Sequence, residues 1–260
     1  MNVHLDIAYA GDADVSRSFD AYFPSNPAPP VLVFVRGGAW RADDKKAHRL
    51  LATKLVEATG CRVLVPNYRL TTADNGLQHP GHAEDILSFL NFLVTWDDIP
   101  DLSGGVFLLG HSAGAHILSA IFLDSSAVTP TLTPSPVLAG LVRGLVLSEG
   151  IYDIDLLLQR FPTYRDWFIA PAFGDHQSYA SVSVSNLPLR SAVTELKWLV
   201  VHSTGDTLVD LPQSQVMVGH LRTLYGDSRV QSSLDVIAVE HDDVPTDAGF
   251  IDLVAKFVGS

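Results

Sequence analysis

Short apolar runs alternate along this chain with segments of helical periodicity, and this alternation limits the possible folds most strongly. Apolar runs of strand type lie at residues 31–35, 62–66, 105–110, 144–150, 197–203 and 234–240. Apolar residues recur at helical spacing over residues 43–59, 81–96, 113–123, 211–226 and 245–258. Because strands that are apolar throughout are buried on both faces, the pattern predicts an α/β fold with a mostly parallel central sheet and helices on both faces.

Two segments depart from the alternation. Residues 3–10 and 17–23 alternate apolar and polar side chains around a turn, which predicts an edge hairpin. Residues 151–190 contain no clear strand and are rich in aromatic side chains, so we interpret them as a small cap inserted over the carboxyl edge of the sheet. A chain of 260 residues suits one large α/β domain or two small ones, and we predict a single domain over residues 1–260.

Charge and cysteine content narrow the classes of partner. The chain has 29 acidic and 17 basic residues, a formal charge of −12 and no basic patch, which argues against nucleic acid and anionic membrane surfaces. No apolar run approaches the roughly 18 residues of a membrane span, and no signal-peptide pattern opens the sequence. The one cysteine, Cys61, excludes an intrachain disulfide and suits a reducing compartment. We expect a cytoplasmic protein, monomer or homodimer, that acts on a small molecule.

The sharpest chemical signal is G-x-S-x-G at residues 110–114, between a predicted strand and a predicted helix. A turn this tight strains the backbone at Ser112, and the flanking glycines avoid clashes. The Ser112 hydroxyl would project above the sheet, where the N-terminal amides of the next helix also point. The motif alone also occurs as a chance Gly/Ser turn, but in this context it predicts that Ser112 is a nucleophile.

A serine nucleophile needs a base, and the base needs an acid that orients it. In serine sites of this kind the acid follows a late strand, and the histidine follows the acid in the chain. Asp206 is favoured over Asp210, for which a helix N-cap role is the simpler explanation. His241, in the loop after the last strand, is the predicted base. The remaining candidates lie in the elbow, on helices or within a strand, and we interpret them as structural: His111, His116, His202 and His220.

The stretch R-G-G-A-W at residues 36–40 follows a buried strand and indicates an oxyanion hole. Acyl transfer places negative charge on a carbonyl oxygen, which preorganised backbone N–H groups stabilise. One N–H is expected from Ala113, the residue after the nucleophile. The other is expected from the loop of Gly37, Gly38 and Ala39, where glycines let the backbone approach the substrate.

A series of motifs spans nearly the whole chain: RGGAW, VPNYRLT, HPGHAEDI, LGHSAGAH, SEGIYDI, VHSTGDTLVD and HDDV. In this order they resemble the kynurenine formamidases (arylformamidases) of the fungal type, within the esterase/lipase-like α/β hydrolases. The combination of G-G-x-W, G-H-S-A-G-A-H and G-I-Y-D is the most specific part. The resemblance implies an α/β-hydrolase fold and a triad of Ser112, Asp206 and His241, which the residues themselves also indicate.

The chain departs from the family it resembles at Arg36, where the family motif begins with His. That His is expected to brace the oxyanion loop, whereas Arg cannot accept a hydrogen bond and is always charged. Either Arg36 pairs with a nearby carboxylate and holds the loop, or it meets an anionic group of the substrate. Four aromatic residues near the predicted site have two possible roles. They could contact a flat aromatic substrate, or they could only pack the cap against the rest of the domain. These residues are Trp40, Tyr152, Trp167 and Phe168.

The sequence predicts no metal and no cofactor. His79, His82 and Glu84 lie close together but lack a fourth ligand at suitable spacing. We therefore predict a serine hydrolase that cleaves N-formyl-L-kynurenine to L-kynurenine and formate. One alternative is a carboxylesterase or a lactone or thioester hydrolase of the same fold that acts on a secondary metabolite, which the altered Arg36 favours. A second is a catalytically inactive binding protein on this fold, which the full set of triad residues argues against.

Overall fold

The computed structural model describes residues 1–11, 14–99 and 101–259, and eight strands in these ranges form one sheet. The strands are β1 (Asn2–Ala8), β2 (Ser18–Phe23), β3 (Ala28–Val35), β4 (Cys61–Pro66), β5 (Val106–His111), β6 (Val142–Ser148), β7 (Lys197–Ser203) and β8 (Val230–Ile237). Their order in the sheet is β1-β2-β4-β3-β5-β6-β7-β8. The pairs β1–β2 and β2–β4 are antiparallel and the other pairs are parallel, which confirms the predicted mostly parallel sheet.

Helices lie in the crossover connections between the parallel strands, and one more helix follows β8. In the described ranges they are α1 (Arg49–Thr59), α2 (Gly81–Leu93), α3 (Ala113–Phe122), α4 (Pro136–Leu141), α5 (Ile154–Arg160), α6 (Ala170–Phe173), α7 (Leu211–Tyr225) and α8 (Ala248–Val258). None of these helices combines the length and the apolar character that are needed to cross a membrane.

Alternate residues along the central strands contribute to two hydrophobic cores, one on each face of the sheet. On one face, α1 and α8 cover strand residues such as Phe34 and Val65. On the other face, α2 and α3 cover residues such as Val33 and Leu108. Because both faces are buried, the middle of each central strand is a continuous apolar run, which is why these strands are evident in the sequence.

The sequence-based limits are wrong for three strands. β3 begins at Ala28 and not at residue 31, because the two prolines before the apolar run are untypical of a strand. β8 spans Val230–Ile237 and not 234–240, because this edge strand begins with exposed polar residues that carry no apolar signal. β6 ends at Ser148 and not at residue 150, because Glu149 has a φ of +52° and cannot continue an extended strand. The predicted edge hairpin is confirmed as β1 and β2, although residues 12 and 13 of its connection lie outside the described ranges.

The carboxyl ends of the parallel strands meet at one edge of the sheet. The loops that follow β3, β5, β7 and β8 carry, in that order, Gly38, Ser112, Asp206 and His241. Between β6 and β7 the described chain forms α5, a π-helical turn (Arg165–Ile169) and α6, but no strand. That residues 151–190 form a cap within a single domain stays a prediction.

Candidate active site

A sharp turn between β5 and α3 holds the candidate nucleophile. Ser112 has φ +53° and ψ −120°, a conformation that costs roughly 1–3 kcal/mol and persists only where the surroundings fix it. Here a Cβ at Gly114 would lie 2.1 Å from the carbonyl oxygen of Val35, and one at Gly110 would lie 2.7 Å from Cα of Ala115. Glycine is therefore required on both sides of the serine because strand and helix pack in direct backbone contact.

The backbone around Ser112 is held by neighbouring elements. The Ser112 N–H donates to the carbonyl oxygen of Ser148 at 2.9 Å, which joins the turn to the end of β6. Ala113 is the first residue of α3, so its N–H has no carbonyl partner within the helix. The turn thus presents a buried hydroxyl and an orphan N–H side by side at the helix N-terminus.

Asp206 and His241 form the second part of the site. The two residues follow β7 and β8 in the chain, and Nδ1 of His241 lies 2.7 Å from Oδ2 of Asp206. The other carboxylate oxygen accepts hydrogen bonds from the N–H groups of Leu208 and Val209 at 2.8 and 2.9 Å. The acid is therefore fixed by its own loop, and it fixes the ring of His241 in turn.

Asp206 is ionised in this arrangement. Burial of its carboxyl raises the pKa, but the hydrogen bond and charge of His241, with the two backbone donors, lower it more. The pKa of Asp206 consequently lies below its usual value. A charged carboxylate at Nδ1 leaves the opposite nitrogen of the His241 ring as the one that can accept a proton.

In the described part of the chain, none of the competing residues forms a hydrogen bond with the Asp206 side chain. Asp210 occupies the N-cap position of α7, as expected, but its side chain makes no capping hydrogen bond. The other histidines bond elsewhere: His111 to Ser148, His116 to the carbonyl of Val182, His202 to Ser214 and His220 to the carbonyl of Leu187. His241 is thus the ring that the structure places against the acid.

Ser112 and His241 both line a cavity of about 400 Å³ above the sheet edge. In the described part of the chain, no hydrogen bond links the Ser112 hydroxyl to the His241 ring. Such bonds are often long before a substrate is bound and tighten in the complex. The structure therefore places Ser112 and His241 at the same cavity, and Asp206, which does not line it, holds the His241 ring through a hydrogen bond.

The loop after β3 packs directly on the nucleophile. A Cβ at Gly37 would lie 2.8 Å from Cβ of Ser112. Gly38 and Ala39 line the cavity, whereas Gly37 lies behind them. Gly38, Ala39 and Trp40 have φ values of +86°, +50° and +60°, so the chain turns sharply here and exposes backbone to the cavity. The oxyanion role of these residues and of Ala113 stays a prediction, and their positions suit it.

Arg36 does not face the cavity, so its predicted contact with substrate is wrong. The side chain is 1 % exposed and donates to Oδ1 of Asn67 at 3.1 Å and to the carbonyl oxygens of Ala42 and Tyr68 at 2.8 and 3.1 Å. The Tyr68 hydroxyl donates to the Gly37 carbonyl at 2.8 Å. Arg36 therefore braces the loop from beneath, through neutral oxygens and not through the carboxylate pairing that the sequence suggested.

The predicted aromatic contacts divide into two groups. Trp167 and Phe168 line the cavity, and Trp167 is 55 % exposed. Trp40 and Tyr152 are fully buried and do not line it, so a direct substrate contact is wrong for both. Trp40 instead packs edge-on against Phe173, which joins the oxyanion loop to α6. Its ring therefore supports the site from the core.

The sequence did not identify several of the residues that line the cavity. The cavity is also lined by Arg41, Ala42, Ile151, Tyr164, Leu208, Val209 and Asp242. Arg41 follows the R-G-G-A-W motif directly and Asp242 follows His241, so proximity to a motif is the one signal that could have found them. The others come from loops and from the segment between β6 and β7, where no periodicity shows which side chains turn inward.

A second buried acid–imidazole pair lies next to the triad residues. Glu149 accepts from the N–H of Ser203 at 3.0 Å, and its carboxylate lies 3.0 Å from Nδ1 of His202. Ligand atoms of Glu149, His202 and Asp206 lie within 4.8 Å of one another, as do those of His111, His241 and Asp242. His241 is already bonded to Asp206, and the absence of a metal site stays a prediction.

Comparison with known proteins agrees with this geometry. A family described as having the alpha/beta hydrolase fold matches residues 32–229, which include Ser112 and Asp206. The kynurenine formamidase of Meyerozyma guilliermondii is 31 % identical over 196 residues, 74 % of this chain and 71 % of that protein. Kynurenine formamidase avaC of Aspergillus versicolor is 26 % identical over 245 residues, 82 % of each chain.

A solved structure gives the same fold. Esterase B from Lactobacillus rhamnosis matches with a TM-score of 0.78 over 99 % of this chain and 84 % of that one. The two sequences are 18 % identical, so this likeness concerns the fold alone.

Proposed function

The chain belongs to the kynurenine formamidase family of α/β-hydrolase-fold proteins, and from this premise we propose that it hydrolyses N-formyl-L-kynurenine to L-kynurenine and formate. One observation carries the proposal: the strained Ser112 and His241 line the same cavity, and Asp206 is hydrogen-bonded to the His241 ring. Membership of the family supports the substrate, and the site geometry supports the mechanism.

The first half of the reaction forms a formyl-enzyme. His241 takes the proton of the Ser112 hydroxyl on the ring nitrogen that faces away from Asp206, and the serine oxygen attacks the formyl carbon. The N–H of Ala113 and the backbone of Gly38 and Ala39 stabilise the negative oxygen that results. Each such donor is worth roughly 3–4 kcal/mol of the barrier.

The leaving group explains why the base must also act as an acid. The C–N bond breaks when His241 gives its proton to the aniline nitrogen, so that L-kynurenine leaves as a neutral amine. Water then adds to the formyl carbon of the ester on Ser112, with His241 again taking a proton. Formate departs, the serine recovers its hydrogen, and Asp206 keeps the ring in one tautomer throughout.

The shape of the cavity supports an aromatic substrate. A formyl group is much smaller than 400 Å³, so most of the cavity must hold the rest of the molecule. Its walls are largely apolar, with rings of Tyr164, Trp167 and Phe168 on the side of the β6–β7 segment. We assign this segment as a cap that binds the kynurenine ring.

The decisive experiment compares turnover of N-formyl-L-kynurenine with that of p-nitrophenyl acetate and butyrate. We expect a higher kcat/KM for the formamide, and Ser112→Ala should lower kcat by at least about 10⁴ on every substrate. Preference for the esters would instead support the esterase alternative. Failure of Ser112 to react with a fluorophosphonate probe in the folded wild type would support the inactive binding protein.

The proposal also includes a cytoplasmic location. Its support is the single cysteine, a buried free thiol, which is compatible with a reducing compartment. Fractionation of the source cells with an antibody against the chain tests it, and recovery from the culture medium or an organelle would contradict it.

A further inference from the structure

Two side chains of opposite charge line the cavity whose other walls are largely apolar. Arg41 comes from the loop after β3 and Asp242 from the turn after β8. In the sheet these strands lie on opposite sides of β5, which carries the nucleophile. The two charges therefore approach the site from different sides, with Ser112 between the strands that bring them.

The Arg41 guanidinium is held at the cavity but is not neutralised. The three successive positive φ values at Gly38, Ala39 and Trp40 turn the chain so that Arg41 faces the cavity. One of its terminal nitrogens donates to the carbonyl oxygen of Trp167, which ties the side chain to the rim. Among the described residues, no carboxylate pairs with it, so its remaining N–H groups can bind an anion.

Asp242 also has no charged partner in the described part of the chain. Its exposed carboxylate makes neither a hydrogen bond nor an ion pair there, and it does not pair with Arg41. A carboxylate oxygen lies within 4.8 Å of a ring nitrogen of His241, which places the negative charge beside the reacting groups. An unpaired anion at a site that must stabilise another anion is unfavourable unless a cation neutralises it.

We propose that Arg41 and Asp242 form a subsite for the zwitterionic head of an α-amino acid, with Arg41 on the carboxylate and Asp242 on the ammonium group. The inference rests on the proposed function and deepens it. A neutral ester would leave both charges unpaired, and a simple carboxylic acid would leave Asp242 unpaired. Arginine is suited to a carboxylate by its planar fork of donors.

The covalent structure of the substrate is compatible with this subsite. The formamide and the amino-acid chain of N-formylkynurenine are ortho to each other on the ring. The zwitterion consequently stays on the same side of the molecule as the scissile bond. The zwitterion therefore binds at the rim beside Ser112 and His241, where Arg41 and Asp242 lie. The aromatic ring can then enter the apolar part of the cavity.

The test uses three formamides that share the aromatic ring and ketone. N-formyl-L-kynurenine carries both charges, its des-amino analogue carries the carboxylate alone, and ortho-formamidoacetophenone carries none. Arg41→Gln should lower kcat/KM about tenfold on the first two, mainly through KM, and leave the third within twofold. Asp242→Asn should lower it about tenfold on N-formyl-L-kynurenine alone.

Matched controls remove the same charges outside the cavity. Arg49→Gln and Asp243→Asn change exposed residues that do not line it, and both should leave all three rates unchanged. Equal losses on all three formamides in the cavity variants would overturn the subsite. So would a wild-type enzyme that does not prefer the zwitterion over the neutral compound.

Failure of the proposed function gives a different result, namely no turnover of any formamide. In that case L-kynurenine and ortho-aminoacetophenone are compared as inhibitors of p-nitrophenyl acetate hydrolysis. Inhibition by L-kynurenine that is about tenfold weaker in both variants, with unchanged inhibition by the neutral amine, supports the subsite. Equal inhibition of wild type and variants by L-kynurenine overturns it.

Discussion

Replacing Arg36 with lysine tests whether this side chain braces the oxyanion loop. The guanidinium is buried and donates in three directions, to Asn67, Ala42 and Tyr68. The bond to Asn67 connects the end of β3 with the segment after β4, and the bond to Ala42 connects it with the far side of the loop. Lysine keeps the positive charge, but its single nitrogen cannot reach all three oxygens. The substitution therefore separates geometry from charge.

The expected effect on stability follows from the bonds that are lost. A hydrogen bond to a charged group contributes about 1.5–3 kcal/mol, so loss of two predicts a decrease of about 3 kcal/mol or more in the free energy of unfolding. For a protein of this size, 1 kcal/mol corresponds to roughly 2–4 °C in Tm. We expect the Tm of Arg36→Lys to be about 6–12 °C lower than that of wild type.

The same change should lower kcat more than it raises KM. Arg36 holds the Ala42 carbonyl, and the N–H of Ala42 donates to the Gly38 carbonyl, so a loosened anchor shifts the predicted oxyanion donors. The loss of one complete donor costs about 10²–10³ in kcat, which is the upper limit here. We expect a decrease of about tenfold, since a shifted loop retains part of the interaction.

Thermal unfolding measures the Tm, urea unfolding measures the free energy of unfolding, and steady-state kinetics on N-formyl-L-kynurenine measure kcat and KM. Arg49→Lys is the matched control, because Arg49 is exposed at the start of α1, and it should change neither. If Arg36→Lys unfolds at the wild-type urea concentration and keeps the wild-type kcat, the bracing role is refuted. A lower stability with an unchanged kcat would restrict Arg36 to a role in folding.

Three further substitutions test other parts of the site. Asp206→Asn should lower kcat about 10⁴-fold with near-native stability, and a loss below tenfold would point to another acid. Trp167→Ala should raise KM for N-formyl-L-kynurenine several-fold without affecting p-nitrophenyl acetate, and equal effects on both would argue against ring contact. Burial raises the pKa of the Glu149 carboxyl above 4.5, although the hydrogen bond with His202 opposes the shift. The protonated Glu149 side chain therefore stabilises the fold below pH 4.5, and this stabilisation is lost as the pH rises through the folded-state pKa. Glu149→Gln should therefore gain stability relative to wild type as the pH rises in urea unfolding series, and a constant difference would contradict the raised pKa.

The triad candidates could be found from the sequence because each occupies a position that local geometry specifies. Ser112 lies between glycines that only a strand–turn–helix junction requires, and Asp206 and His241 follow the last two strands. Their meeting was inferred from chain order, and the 2.7 Å bond between the acid and the base agrees with it.

The lining of the cavity could not be found in the same way. Arg36 and Arg41 are five positions apart in one loop, yet one is buried beneath the loop and the other faces the cavity. Three consecutive residues with positive φ decide between them, and two of those residues are not glycine. No periodicity operates in such a segment, so the sequence did not indicate which arginine faces the cavity.

The sequence by itself determined the α/β architecture, because burial of both sheet faces makes the middle of each central strand a continuous apolar run. It also determined the serine elbow, since close backbone contact excludes every side chain at residues 110 and 114. Only the tertiary structure decided which charges and rings face the cavity. Those choices depend on how loops from four strands pack against one another, and that packing involves contacts between residues far apart in the chain.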